Sequence, residues 1–130
     1  MIVLDASAAV HLVLRTERGE WVAERGRGEE RHVPQVFEYE VVAGLRRQVL
    51  ARAISSSGAG EALKGLGLLA RRRYPPQPLL ERIWALRATL TPYDASYVAL
   101  AEALDAPLVT ADARLARSHG HVATIELVPS

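Results

Sequence analysis

The chain has 130 residues, a length that predicts one domain, residues 1–130, with a core large enough to fold without a disulfide or a structural metal. It contains no cysteine and no continuous apolar span long enough to cross a bilayer, so the composition predicts a soluble cytoplasmic protein with no membrane partner. The formal net charge of +1 excludes a strong general attraction to nucleic acid.

The first predicted element is a short buried strand that ends at an aspartate. The apolar run Met1–Leu4 is followed by Asp5, and a helical pattern of apolar residues begins at Ala6. In a parallel sheet Asp5 would therefore lie at the carboxyl end of the first strand. The alternative role for this residue is to cap the helix, since aspartate is a preferred N-cap.

A longer helix with one misplaced carboxylate follows in the chain. Thr16–Gly28 predicts a loop and a short amphipathic helix, and His32–Pro34 predicts a brief strand. The helix that follows places Glu40 on its apolar flank, between Val36 and Gly44. A carboxylate there is costly unless it is paired or binds a metal. The alternatives are that it reaches solvent or pairs with Arg47.

The middle of the chain carries fewer chemical signals. Arg52–Gly60 predicts a flexible connection between helices, and Glu61–Ala70 has leucines at helical spacing. The arginines of Arg71–Arg73 are a weak candidate for a phosphate contact and precede an extended segment. The pattern of Leu79–Leu90 predicts another amphipathic helix.

Two further aspartates lie at the ends of predicted elements in the last third. Thr91 suits the cap of a largely buried helix, and Asp94 falls three residues later, where a carboxylate meets free N–H groups. Leu108–Thr110 is a short apolar strand, and Asp112 follows its end. The pattern then predicts a helical turn and a last strand, Val122–Val128.

The alternation of strands and helices predicts an α/β sandwich with a mainly parallel sheet. Asp5, Asp94 and Asp112 would meet at one edge of this sheet, and together with Glu40 they would repel one another unless cations were present. Carboxylate oxygens favour Mg²⁺ or Mn²⁺, and such an ion leaves positions for phosphate oxygens and a water. This arrangement is typical of metal-assisted phosphodiester hydrolysis.

These motifs, in this order, resemble the PIN-domain ribonucleases and more closely the VapC-like toxins of bacterial toxin–antitoxin pairs. The resemblance spans nearly the whole chain and rests on Val3–Ser7, Glu40 between Val33-Pro34 and Gly44-Leu45, Thr91–Ala95 with Ala99–Ala101, and Leu108–Asp112. It implies a three-layer sandwich, an RNA substrate, a homodimer and a cognate antitoxin. Ser55–Gly67 differs from the firm helical hairpin of the family.

The resemblance also implies that Asp5, Glu40, Asp94 and Asp112 form the nuclease site, with Ser7 and Thr110 as supporting hydroxyls. We expect the three aspartates to bind Mg²⁺ directly or through water, and Glu40 to orient the attacking water or hold a second ion.

Two other functions remain open at this point. A phosphatase with Asp5 as its nucleophile is disfavoured, because Ser7 stands where an acid–base aspartate would be needed. A non-catalytic module could instead use the acidic pocket to bind an arginine-rich segment of a partner protein.

Overall fold

The computed structural model describes residues 1–130 as an alternation of short strands and helices. The strands are β1 (Ile2–Leu4), β2 (Arg31–Pro34), β3 (Arg72–Tyr74), β4 (Leu108–Thr110) and β5 (Ile125–Leu127). The helices are α1 (Ala6–Leu14), α2 (Glu17–Arg25), α3 (Phe37–Leu50), α4 (Ser56–Lys64), α5 (Leu80–Ala85), α6 (Pro92–Leu104) and α7 (Ala113–Ala116). None of these helices has the length and apolar character that crossing a membrane requires.

All five strands form one parallel sheet in the order β3-β2-β1-β4-β5. The central strand β1 places Val3 opposite His32 of β2 and Leu108 of β4. The helices flank this sheet, which confirms the predicted α/β sandwich with a parallel centre. Because all strands run in the same direction, their carboxyl ends share one edge, and the loops that follow them meet there.

The core is built around β1 and α6. The side chains of β1 are fully buried, and α6 is buried from Ala95 to Ala101. The start of α6 is fixed by Thr91, whose hydroxyl accepts the backbone N–H of Asp94 at 3.2 Å. The predicted cap is confirmed, and it holds Asp94 at the sheet edge where β1 and β4 end.

Helices α1 and α2 approach each other most closely at Gly19. A Cβ atom at this position would lie 2.1 Å from the backbone oxygen of His11. We expect Gly19→Ala to lower the free energy of unfolding by about 1–3 kcal/mol, because the two backbones would have to separate. Gly60→Ala is the matched control, since Gly60 is exposed in α4 with no atom within 4 Å of the new methyl group.

The control should leave stability unchanged or raise it by up to about 1 kcal/mol, because alanine favours a helix over glycine. Urea unfolding of both variants measures the difference. Equal midpoints for the two variants would contradict the close approach at Gly19.

The expected flexible connection at Arg52–Gly60 is wrong, because this segment starts helix α4. The hydroxyl of Ser55 accepts the backbone N–H of Gly58 at 2.9 Å, so serine caps the helix. Ala59 and Ala62 then pack into the core. The helix ends at Lys64, and a short 3₁₀ turn, Leu66–Leu68, replaces the rest of the predicted Glu61–Ala70 helix.

Two other predicted boundaries are also wrong. The helix predicted over Leu79–Leu90 is α-helical only in α5, which follows a 3₁₀ turn. After α5 the chain turns, and there the Thr89 hydroxyl donates to the backbone oxygen of Leu86 at 3.4 Å. The predicted strand Val122–Val128 is shortened to β5, because the N–H of Val122 donates to the carboxylate of Glu102 at 3.0 Å. The arginine-rich extended segment joins the sheet as the edge strand β3.

Candidate active site

The four predicted carboxylates line one small cavity of about 160 Å³ at the carboxyl edge of the sheet. Asp5 follows β1, Glu40 lies in α3, Asp94 lies in the first turn of α6, and Asp112 follows β4. A larger cleft, about 890 Å³, lies between α1 and α4 and contains none of the four. The acidic cavity is therefore a distinct site assembled from four separate elements.

Asp5 is buried, with 5% of its surface exposed, and is held by hydroxyl groups. Its Oδ2 atom accepts the Thr110 hydroxyl at 2.8 Å, the Ser7 hydroxyl, and the backbone N–H of Ser7 at 3.3 Å. Asp5 thus caps α1 and lines the cavity at once, so the two roles predicted for it are compatible. Because all three bonds are to Oδ2, the other carboxylate oxygen remains available to a ligand.

Ser7 and Thr110 also connect the ends of β1 and β4. The backbone N–H of Ala111 donates to the Ser7 hydroxyl at 2.9 Å, and the N–H of Asp112 donates to the Thr110 hydroxyl at 3.0 Å. The Oδ1 atom of Asp112 caps α7 by accepting the N–H of Arg114 at 2.9 Å. These contacts fix the two aspartates that follow the strands relative to each other.

Glu40 is half-buried in α3 at the wall of the cavity and makes no ion pair with Arg47. The alternative that Glu40 serves mainly as an ion-pair partner of Arg47 is therefore wrong for this structure. Burial raises the pKa of Glu40, and the charges of Asp5 and Asp94 add to the rise. Gly44 lets α3 pack tightly here, since a Cβ atom would lie 2.7 Å from a methyl group of Val10.

The electrostatics of the cavity are those of crowded, desolvated carboxylates. Burial raises the pKa of Asp5, Asp94 raises it further, and the hydrogen bonds from Ser7 and Thr110 oppose the change. Protonation of Asp5 therefore competes with cation binding at a higher pH than it would for an exposed aspartate.

Tyr97 is a buried polar neighbour of the site that the sequence analysis missed. Its hydroxyl lies near Glu40 but has no partner of normal hydrogen-bond geometry. Burial raises the pKa of this hydroxyl, and the nearby charges of Asp5 and Glu40 add to the effect. Tyr97 thus remains a neutral phenol beside the carboxylates.

Arg114 is the second residue that the sequence analysis missed. Its Nη2 atom donates to Asp94 Oδ2 at 2.8 Å and to Asp112 Oδ2 at 3.2 Å. The side chain is 60% exposed, at the start of the short helix α7. One cationic group therefore bridges two of the four predicted site carboxylates. The sequence offered only the position of an arginine two residues after Asp112, which does not by itself indicate the contact.

The donor atoms of the cavity fit Mg²⁺ or Mn²⁺, which prefer carboxylate oxygens. The bridging contact of Arg114 also shows that the space between Asp94 and Asp112 attracts a positive charge. In the arrangement observed, however, no three acidic side chains form a ready ligand set. Asp94 and Asp112 face the guanidinium group, so a divalent ion that used both would have to replace it.

Comparison with known proteins gives consistent similarities over nearly the whole chain. The family model described as "PIN domain" matches residues 2–119. Ribonuclease VapC12 of Mycobacterium tuberculosis is 49% identical over 128 residues, which cover 98% of this chain and 99% of that protein. Ribonuclease VapC9 of the same species is 43% identical over 129 residues, 99% of each chain.

Two solved structures share the architecture. PAE2754 from Pyrobaculum aerophilum superposes with a TM-score of 0.68 at 27% identity, covering 95% of this chain and 81% of that chain. VapBC2 from Rickettsia felis, bound to a DNA fragment from its promoter, gives a TM-score of 0.63 over 98% of both chains. At 16% identity the second similarity concerns the fold alone.

Proposed function

The chain belongs to the PIN domain family, in which it is VapC-like, and from this we propose that it is a ribonuclease dependent on Mg²⁺ or Mn²⁺. The observation that carries the proposal is the convergence of Asp5, Glu40, Asp94 and Asp112 on one cavity. RNA as the substrate is supported by the ribonuclease names of the relatives.

Each residue of the cavity has a role in this proposal. Asp5, Asp94 and Asp112 would hold the divalent ion, and Ser7 and Thr110 would keep the Asp5 carboxylate oriented through its Oδ2 atom. When bound, the ion supplies charge stabilisation at the phosphate and makes a nearby water more acidic.

Glu40 would orient the attacking water and accept its proton at a carboxylate oxygen. Its raised pKa supports this role, because a base with a higher pKa accepts a proton more readily. The oxygen of water would form a bond to phosphorus while the bond to the leaving oxygen breaks, and the leaving oxygen would keep the bonding electron pair and take up a proton from solvent. Arg47 lines the cavity without an ion pair, which leaves its guanidinium group available to a neighbouring phosphate.

We expect purified protein to cleave a mixed RNA pool with Mg²⁺ or Mn²⁺ and to stop when a chelator removes the ion. We also expect Asp94→Asn to weaken Mn²⁺ binding at least about tenfold, because a neutral amide no longer attracts the ion. Calorimetry without RNA measures this binding. Asp105→Asn is the matched control, since Asp105 is exposed, lies outside the cavity, and has a positive φ of 48° that asparagine tolerates.

Equal Mn²⁺ affinities for wild type, Asp94→Asn and Asp105→Asn would contradict the assignment of Asp94 to the metal site. Cleavage that continues in excess chelator would contradict metal dependence.

We further propose that the protein forms a homodimer and binds a cognate antitoxin, as VapC-like toxins do. Large apolar side chains exposed on α3 and α5, namely Tyr39, Val42, Leu80 and Trp84, support a protein partner. Light scattering of the protein alone tests the dimer, and co-expression with the product of an adjacent small reading frame tests the antitoxin.

A non-catalytic module that binds an arginine-rich partner is a second candidate, favoured by the contact of Arg114 with two carboxylates. Such a module would bind an arginine-rich peptide but would show no metal-dependent turnover of RNA.

A further inference from the structure

We infer that Arg114 exchanges partners when the site is loaded: it neutralises Asp94 and Asp112 in the metal-free protein and contacts a substrate phosphate once a divalent ion binds. This inference rests on the proposed function, because it requires a metal ion and a phosphodiester substrate in the same cavity. It assigns to Arg114 the role of a substrate-binding residue.

Arg114 and a divalent ion would compete for the same oxygens of Asp94 and Asp112. A single nitrogen of Arg114 donates to Oδ2 of Asp94 at 2.8 Å and to Oδ2 of Asp112 at 3.2 Å. The guanidinium group therefore occupies the gap between the two carboxylates. A divalent ion that binds both oxygens needs this same gap, so the ion and the guanidinium group cannot occupy it together.

Arg114 can leave this position without disturbing the fold. Its side chain is 60% exposed, so the guanidinium group can move into solvent; Asp94 is only 14% exposed, and an arriving ion would replace the positive charge that it loses. The cap of α7 uses the backbone N–H groups of Arg114 and Leu115, which donate to Oδ1 of Asp112. The helix start is thus independent of the arginine side chain, and only the Oδ2 contacts are lost when the side chain moves.

The released guanidinium group suits a phosphate next to the cleaved bond. Only Nη2 of Arg114 makes hydrogen bonds in this structure, so the donors of Nε and Nη1 are unused. A guanidinium group offers paired donors that match two phosphate oxygens. Because its backbone lies two residues from Asp112, the moved side chain remains at the cavity where substrate must bind.

The first test is Mn²⁺ titration without RNA. We expect Arg114→Gln to bind Mn²⁺ about fivefold more tightly than wild type, since a competing cation is removed. Arg117→Gln is the control at the end of the same helix, as Arg117 follows α7 as its C-cap, is exposed and makes no ion pair. Arg47→Gln removes a charge that lines the same cavity without an ion pair, and so measures the general effect of charge.

The second test is steady-state cleavage at saturating Mn²⁺. We expect Arg114→Gln to raise KM for RNA about five- to tenfold, because a phosphate contact is lost, while Arg117→Gln leaves KM unchanged. If Arg114 served only as the ion-pair partner of Asp94 and Asp112, its replacement would not both tighten Mn²⁺ binding and raise KM for RNA.

The outcomes separate this inference from the proposed function. If wild type binds no Mn²⁺, the proposed function fails and the exchange fails with it. If wild type binds Mn²⁺ but Arg114→Gln changes the affinity no more than Arg47→Gln does, the exchange alone is overturned. An unchanged KM in Arg114→Gln also overturns the exchange and leaves the proposed function intact.

Discussion

Asp5→Asn should lower the rate of RNA cleavage by about 100- to 1,000-fold while the protein still folds. An amide oxygen can accept the N–H of Ser7 and the hydroxyl of Thr110, so the helix cap is retained. The variant loses the negative charge that attracts the metal ion, and its NH2 group replaces the carboxylate oxygen that is left free for a ligand. Initial cleavage rates on a mixed RNA pool measure the loss, and Asp105→Asn serves as the control that should retain wild-type activity.

The same substitution should leave the melting temperature of the metal-free protein unchanged or raise it at neutral pH. Since burial raises the pKa of Asp5, the folded state disfavours its charged form. Wild-type stability therefore falls as pH rises from the usual aspartate range through this raised pKa, and Asp5→Asn avoids this loss. The difference in melting temperature should vanish at acid pH. A large drop in the melting temperature of Asp5→Asn would favour a purely structural role.

Glu40→Gln should lower cleavage by at least about 100-fold, because the amide cannot accept a proton from the attacking water. The change keeps the volume of the side chain nearly constant, so the protein should fold and bind its partners as before. Arg47→Ala is the matched test of the ion-pair alternative. As the structure contains no Glu40–Arg47 ion pair, this variant should change the free energy of unfolding by no more than about 0.5 kcal/mol.

Both variants are compared by cleavage of a mixed RNA pool and by thermal unfolding. Retained cleavage in Glu40→Gln would remove Glu40 from the site. A matching loss of stability in Glu40→Gln and Arg47→Ala would restore the ion-pair interpretation.

The parts of the site that follow strands could be predicted because two independent signals coincide there. An apolar run ends at Asp5 and another ends near Asp112, and parallel pairing of β1 with β4 brings the two ends together. Glu40 was recognisable because it interrupts the apolar face of α3. Each of these residues breaks a regular pattern, and such breaks are visible in the sequence.

The residues and elements that were missed break no pattern. Arg114 belongs to a short exposed helix, where an arginine is ordinary, and its contact with Asp94 spans 20 residues of sequence. Tyr97 fits the apolar face of α6, so only the structure reveals its unpaired hydroxyl. The edge strand β3 consists of Arg72, Arg73 and Tyr74, which lack the apolar character expected of a strand.

The sheet order has a consequence for how the protein forms during synthesis. The central strand β1 is translated first, but its neighbour β4 is more than 100 residues away, as is the Thr110 hydroxyl that holds Asp5. Pairings between such distant segments close late and slow folding. A nascent chain on the ribosome therefore has no complete acidic cavity until Asp112 has emerged, so the cavity can assemble only after all four carboxylates have been synthesised.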